Sequence, residues 1–185
     1  MTASFQSGLP EIIVPSSESG GPHTSRTMML TELMALLDAT PASSMKGDLK
    51  GAVIDHNVVG KGTLSGRQRV YRYLRELYVL DPQALSFRAL RDLWDVDPDA
   101  RPLLALLSAL ARDPLLRATA SPIVEAPVGG TITASDLAEA VQAAYPESYN
   151  DVIAAKIGRN AASSWTQAGH LSGRSNKKRA RVDCR

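Results

Sequence analysis

Apolar residues recur along most of this chain at the three- and four-residue spacing that lines one side of a helix. Leu30, Leu33, Met34 and Leu37 begin the pattern and predict a helix over Thr27 to Asp38, stopped by Pro41. A second helix is expected from a cap at Ser43 or Ser44 to about Asp55, with Leu49, Val53 and Ile54 as its apolar side. The third, Ser65 to Leu80, rests on Val70, Leu74, Leu77 and Tyr78 and ends at Asp81-Pro82. In a fourth, Leu85 to Trp94, the residues Leu85, Ala89 and Leu93 stack, with Leu90 and Trp94 beside them. Pro102 to Arg112 is apolar nearly all round through Leu103, Leu104, Leu106, Leu107 and Leu110, which predicts a helix at the centre of a bundle. Asp113-Pro114 closes it and opens a sixth helix through Ala120. Asp97 and Asp99 read as helix caps of the same punctuation.

The pattern changes after Pro127-Val128-Gly129-Gly130, the best domain boundary in the sequence. Thr131 to Thr133 is short and β-branched. Ser135 or Thr133 can cap a helix over 136–144, with Leu137, Val141 and Ala144 apolar. Tyr145-Pro146 breaks it, Ser148 begins a long helix to about Ala168, and Gly169 ends that helix. His170-Leu171 can start a hairpin with its tip over Ser172 to Asn176. The predicted fold is mainly α: a helical bundle (27–126), then a winged helix-turn-helix-like module with a short β-hairpin (127–185). A Ser/Gly/Pro-rich tail (1–26) is expected to be mobile, though Leu9 and Ile12-Ile13-Val14 can dock on a partner. A helical hairpin with a disordered basic end is the other reading of the last segment.

Composition narrows the classes. Among 185 residues 44% are hydrophobic and only 5% aromatic, which suits helices. No apolar run is long enough to cross a membrane. Met1 to Gly20 lacks the basic start and apolar core of a secretory signal, so a cytoplasmic location is expected. The single cysteine, Cys184, excludes a disulfide framework, and the three histidines have no metal-ligand spacing. Gly60-Lys61-Gly62-Thr63 fails the phosphate-loop pattern, because Gly62 follows the lysine where Ser or Thr is needed.

Net charge, +2, hides a strong asymmetry. Residues 46–75 carry net +5, residues 76–155 net −7 and residues 156–185 net +7. Two basic segments flanking an acidic middle point to a polyanion, and nucleic acid is the commonest one. In the last long helix Ile153, Ile157, Ala161 and Trp165 form the side expected to face the preceding helix. Lys156, Arg159, Ser163 and Gln167 fall on another side, with Asn160 near its edge. Arginine can pair with guanine, Asn or Gln with adenine, and Lys or Ser with phosphate. Arg159, Asn160, Ser163 and Gln167 are the candidate base readers. Lys156, Arg174, Lys177, Lys178, Arg179 and Arg181 are the candidate phosphate contacts. Lys61, Arg67, Arg69, Arg72 and Arg75 offer a possible second DNA-contact surface. Trp165 reads as a core anchor, and the cluster from Lys177 also matches a nuclear localisation signal in its bare composition.

Three stretches carry a family resemblance. They are the arginine-studded Gly66 to Leu77 running into Leu80-Asp81-Pro82, the leucine-rich helix that follows, and Asn160-Ala161-Ala162-Ser163-Ser164-Trp165 reaching Ala168-Gly169-His170-Leu171. Over residues 27 to about 172 this layout resembles the BrxA family of bacterial BREX phage-defence systems. The resemblance implies an all-helical protein with helix-turn-helix-like elements that binds double-stranded DNA without catalysis, beside other defence-system proteins. The Ser/Gly/Pro tail and the basic end depart from it.

The sequence thus predicts a non-catalytic, double-stranded-DNA-binding protein with no cofactor, no metal and no membrane contact. The first rival is a protein–protein adaptor whose acidic middle and leucine-rich bundle recruit partners; the second is an enzyme, disfavoured because no Ser/His/Asp order, metal spacing or paired carboxylates converge on a cleft. RNA is disfavoured because few aromatics lie outside core positions to stack unpaired bases.

Overall fold

The chain folds as a set of N-terminal helices and a C-terminal group of helices and short strands that share one apolar core, in a computed structural model that describes residues 20–174 and 176–182. Residues 1–19 of the expected tail, Ser175 of the expected hairpin tip, and Cys184 lie outside the described residues.

The N-terminal helices are α1 (Leu30–Ala39), α2 (Lys46–Ile54), α3 (Leu64–Tyr78), α4 (Leu85–Trp94) and α5 (Arg101–Arg112). Each predicted helix exists, with ends moved by a few residues. Neither Ser43 nor Ser44 caps α2. The first residue before it is Met45, whose backbone N–H donates to Asp48 Oδ2 at 2.8 Å. Thr63 caps α3 by accepting from Gly66 N–H, and α3 stops at Tyr78 because Val79 and Leu80 turn to φ of 67° and 51°. Two left-handed non-glycine residues cost roughly 1–2 kcal/mol each. Complete burial of Leu80 offsets this.

Two faces differ from the expected ones. In α4 the buried residues are Phe87, Leu90, Arg91 and Trp94, while Leu85 and Leu93 are exposed. Arg91 turns inward because the last carbonyls of α1 need donors: its guanidinium donates to Leu37 O at 3.0 Å and Thr40 O at 2.9 Å. α5 is not the central helix of a bundle. Its buried face is Ala105, Leu106 and Ala109, packed on α3 and α4, and Leu107 is 54% exposed. The small alanines let neighbouring helices approach closely; Leu104 and Leu110 pack at the margin of the core and only Leu107 of the five leucines faces out.

Asp113 then caps α6 (Pro114–Ala118), accepting from the N–H groups of Leu115 and Leu116, and α7 (Ala120–Glu125) follows. Asp97 caps the short 3-10 turn Pro98–Ala100 in the same way; Asp99 is the donor there, not a cap.

The C-terminal elements come in the order β1 (Thr131–Ile132), α8 (Ala134–Ala144), α9 (Asp151–Gln167), β2 (Leu171–Ser172) and β3 (Lys177–Arg179). The three strands form an antiparallel sheet in the order β1-β3-β2, pairing Thr131 with Lys178 and Leu171 with Arg179. Reciprocal bonds between Gly129–Gly130 and Arg179 extend the ladder back into the Pro127–Gly130 loop. Thr133, not Ser135, caps α8, and its N–H returns to Asp136 Oδ2, a capping box. Asn150 caps α9. Gly169 takes φ 77° just past α9, where a side chain would be strained.

One apolar cluster crosses the expected boundary at 127. Leu33, Leu74, Trp94 and Leu106 from the N-terminal helices join Ile132, Leu137, Trp165 and Leu171. A smaller cluster of Leu115, Val141, Tyr145 and Ile157 closes the far side of α8 and α9.

Candidate nucleic-acid interface

Helix α9 has three sides with different occupants. Ala154, Ile157, Gly158 and Ala161 face α8 and the core. Gly158 is needed for this contact, because a Cβ there would meet Ala134 O at 2.2 Å. Trp165 is 2% exposed, its indole N–H donates to Thr119 Oγ1 at 2.8 Å, and it packs edge-on against His170. It is the expected core anchor. Ile153 is not buried beside Leu137 and Val141: it is 40% exposed in the first turn of α9. Val152, 79% exposed, lies on the open side.

The second side is covered by chain that composition alone reads as mobile. Residues 20–26 are ordered, with a 3-10 turn at Pro22–Thr24. His23 is completely buried. Its ring Nδ1 lies 2.7 Å from Asp113 Oδ2 and its Nε2 lies 2.8 Å from Ser164 Oγ. Asp113 Oδ2 also accepts from the His23 backbone N–H at 2.9 Å. Ser164 Oγ further accepts from Met28 N–H at 2.8 Å and donates to Asn160 O at 3.0 Å. Serine, histidine and aspartate in this order activate a nucleophile in hydrolases. Here all three residues are fully shut off from solvent, so the array ties the segment to α6 and α9 rather than meeting a substrate. No spacing announces it, since its members are 90 and 141 residues apart.

That segment also occupies two expected base readers. The Asn160 amide donates to His23 O at 2.8 Å, and Gln167 bridges Leu30 N–H and Thr27 Oγ1. Ser163 is half-buried beside Gln167.

The third side is open and carries Lys156 and Arg159. Between it and α8 runs a groove of about 500 Å³ lined by Ser135, Glu139, Gln142, Asp151 and Arg159. The first turn of α9 is acidic: Asp151 suits the helix dipole and accepts from the Gln142 amide at 2.9 Å. A phosphate would be repelled there and attracted one to two turns further on.

The hairpin divides its cations. Lys177 and Arg179 share the face toward α9. Lys177 Nζ donates to Thr166 Oγ1 at 2.8 Å, and the Arg179 guanidinium donates to His170 O and Ala180 O. Lys178 points the other way and is exposed, as are Arg174 and Arg181. The early basic segment divides likewise. Arg67 is structural: it donates to Ile54 O at 2.7 Å and so caps α2. Arg72 pairs with Glu76 at 3.7 Å and lies over the Tyr73 ring. Lys61 pairs with Glu32 at 2.9 Å, while Arg69 and Arg75 are exposed.

Among the described residues no group of His, Cys, Asp and Glu could hold a metal ion, and no helix is long and apolar enough to cross a membrane. No protein-family profile matches the chain, and no curated protein matches it.

Proposed function

We propose that this protein binds double-stranded DNA, with residues 114–182 acting as a winged helix-turn-helix unit. The observation that carries the reading is the open side of α9. It presents Lys156 and Arg159, both exposed and in no ion pair among the described residues, next in the chain to a hairpin whose outward cations are Arg174 and Lys178. Helix, strand, helix, helix and hairpin follow one another in the order of that unit, with β3 central in the sheet. In this reading Arg159 reads a base edge from the middle of α9, and Lys156, Arg174 and Lys178 take phosphates. Asn160 and Gln167 support α9 and leave base reading to Arg159 and Ser163. The layout shared with the BrxA family fits the same role, a DNA-binding part of a phage-defence system without chemistry of its own.

Binding to a short duplex over a series of salt concentrations tests this. Each phosphate contact adds about 0.9 to the slope of log affinity against log salt. Arg174→Ala with Lys178→Ala should lower the slope by roughly two contacts. Salt-independent binding, or none at low salt, would reject the reading. The adaptor reading draws on a different observation, the exposed Leu85, Leu93, Val96 and Leu107 of the α4–α5 region. It predicts association that survives high salt.

A further inference from the structure

Residues distant in sequence build a second concavity on the opposite side of Asn160. It is a cleft of about 450 Å³ between the segment around Arg26, the loop at Lys61, helix α3 at Gly66 and Arg69, and Asn160 of α9. Three cations line it and one carboxylate, Glu32, which Lys61 already engages at 2.9 Å. Among the described residues that line it, the cations therefore outnumber the carboxylate and the cleft carries net positive charge. Arg26 is held in place, its guanidinium 5.5 Å from the Tyr73 ring centroid, a cation–π geometry. Arg72 lies over the same ring at 4.7 Å. Burial opposes ionisation of the Tyr73 hydroxyl. The hydrogen bonds with Ser25 and Arg72 outweigh it, the charges of Arg72 and Arg26 add to them, and the hydroxyl lies below its ordinary range. The Ser25 and Thr27 residues add hydroxyl groups to its rim.

We infer that this cleft is a phosphodiester site, in which Arg26, Arg69 and Lys61 receive the backbone of the same duplex whose groove meets α9. The inference rests on the DNA-binding reading and adds to it a clamp. Asn160 lies between the two surfaces, lining the cleft while it holds the His23 carbonyl, and Lys156 and Arg159 lie on the turns beside it. Arginine suits the role because its planar fork meets two phosphate oxygens at once. The buried His23 anchor explains how a Ser/Gly/Pro-rich segment can hold Arg26 at a defined place.

The test uses the full chain, a fluorescent duplex and a salt series. Arg26→Ala with Arg69→Ala should reduce the slope of log affinity against log salt by about 1.8, two contacts' worth. Arg26→Lys with Arg69→Lys should keep most of the slope, since charge is retained. An unchanged slope in the alanine pair, with a native melt, overturns the cleft while leaving the α9 and hairpin contacts standing. If the alanine pair fails to fold, Arg69→Ala alone, an exposed position, should lower the slope by about 0.9. If the wild-type chain binds no duplex, the DNA reading fails, and titration calorimetry with inorganic pyrophosphate decides about the cleft. Heat that disappears in Arg69→Ala leaves an anion site for a free phosphate compound and overturns the phosphodiester assignment. No heat overturns the site itself.

Discussion

His23 Nδ1 and Asp113 Oδ2 are 2.7 Å apart and both residues are fully buried, so the N-terminal segment is pinned to the cap of α6 by a contact no solvent reaches. The same carboxylate holds the first N–H groups of α6 through its other oxygen. One side chain therefore joins the N-terminal segment to the start of α6.

His23→Ala removes the ring from between Asp113 and Ser164. Asp113 keeps its backbone N–H donors, so the loss is that of a buried hydrogen-bond partner, about 1–3 kcal/mol. Urea denaturation should show that loss. Proteolysis at the segment around Arg26 should rise in parallel. A variant as stable as the wild type would mean that the carboxylate finds other donors at no cost.

Gly158 sits where α8 and α9 come closest. Gly158→Ala would place a methyl group 2.2 Å from Ala134 O and 3.0 Å from Ala138 N, both backbone atoms of α8. Helix α8 must shift to admit it. Overpacking of this kind typically costs 1–3 kcal/mol, roughly the expected fall in stability, although alanine is the better helix former. A thermal melt that rises would show that the two helices separate freely.

Trp165 and Arg159 separate stability from binding on one helix. Trp165→Ala should cost about 3–5 kcal/mol, as a buried large aromatic does. It also leaves Thr119 Oγ1, buried, without the indole donor. Arg159→Ala should change stability by no more than about 0.5 kcal/mol, since the side chain is exposed. It should weaken DNA binding, with about 1–3 kcal/mol of lost discrimination at one base pair if it reads a base. A melt and a titration on both variants check this. Unfolding of Arg159→Ala would reverse the assignment of the helix faces.

His170 links the end of α9 to the hairpin: its ring packs on Trp165 and its carbonyl accepts from Ala180 N–H. Burial lowers its pKa below the ordinary value near 6.5. The Arg179 charge adds to this, and the ring's contact with Ala168 O opposes it. The folded protein then holds this proton less tightly than the unfolded chain. The contribution to stability is complete above about pH 6.5 and is lost as pH falls through the lower, folded value. Denaturation curves between neutral and mildly acidic pH should show this loss in the wild type. In His170→Gln the pH dependence should flatten over that window, and an unflattened curve would place the dependence elsewhere.

Periodicity determined the helices except α7, Ala120–Glu125, which it left unassigned. Proline and aspartate at their starts and glycine at the end of α9 act locally, so Asp113-Pro114, Thr133 and Gly169 can be read without knowing what they pack against. The order of β1, α8, α9 and the hairpin follows for the same reason, as does the core position of Trp165, the largest apolar side chain on its helix. The tertiary structure decided which faces turn inward and which polar groups are occupied. α5 has leucines on every side, so its pattern names no buried face; the neighbours chose the one with Ala105, Leu106 and Ala109. Arg91 and Arg67 look like surface cations until the carbonyl ends of α1 and α2 are seen to need donors. Asn160 and Gln167 have the same chemistry for a base edge as for a passing backbone, and the segment from His23 to Leu30 reached them first. That segment's own burial was illegible in the sequence, because it depends on Asp113 and Ser164, whose distance along the chain carries no periodic signal. Charge blocks foretold that basic surface exists. Only folding placed Arg26, Lys61 and Arg69 around one cleft.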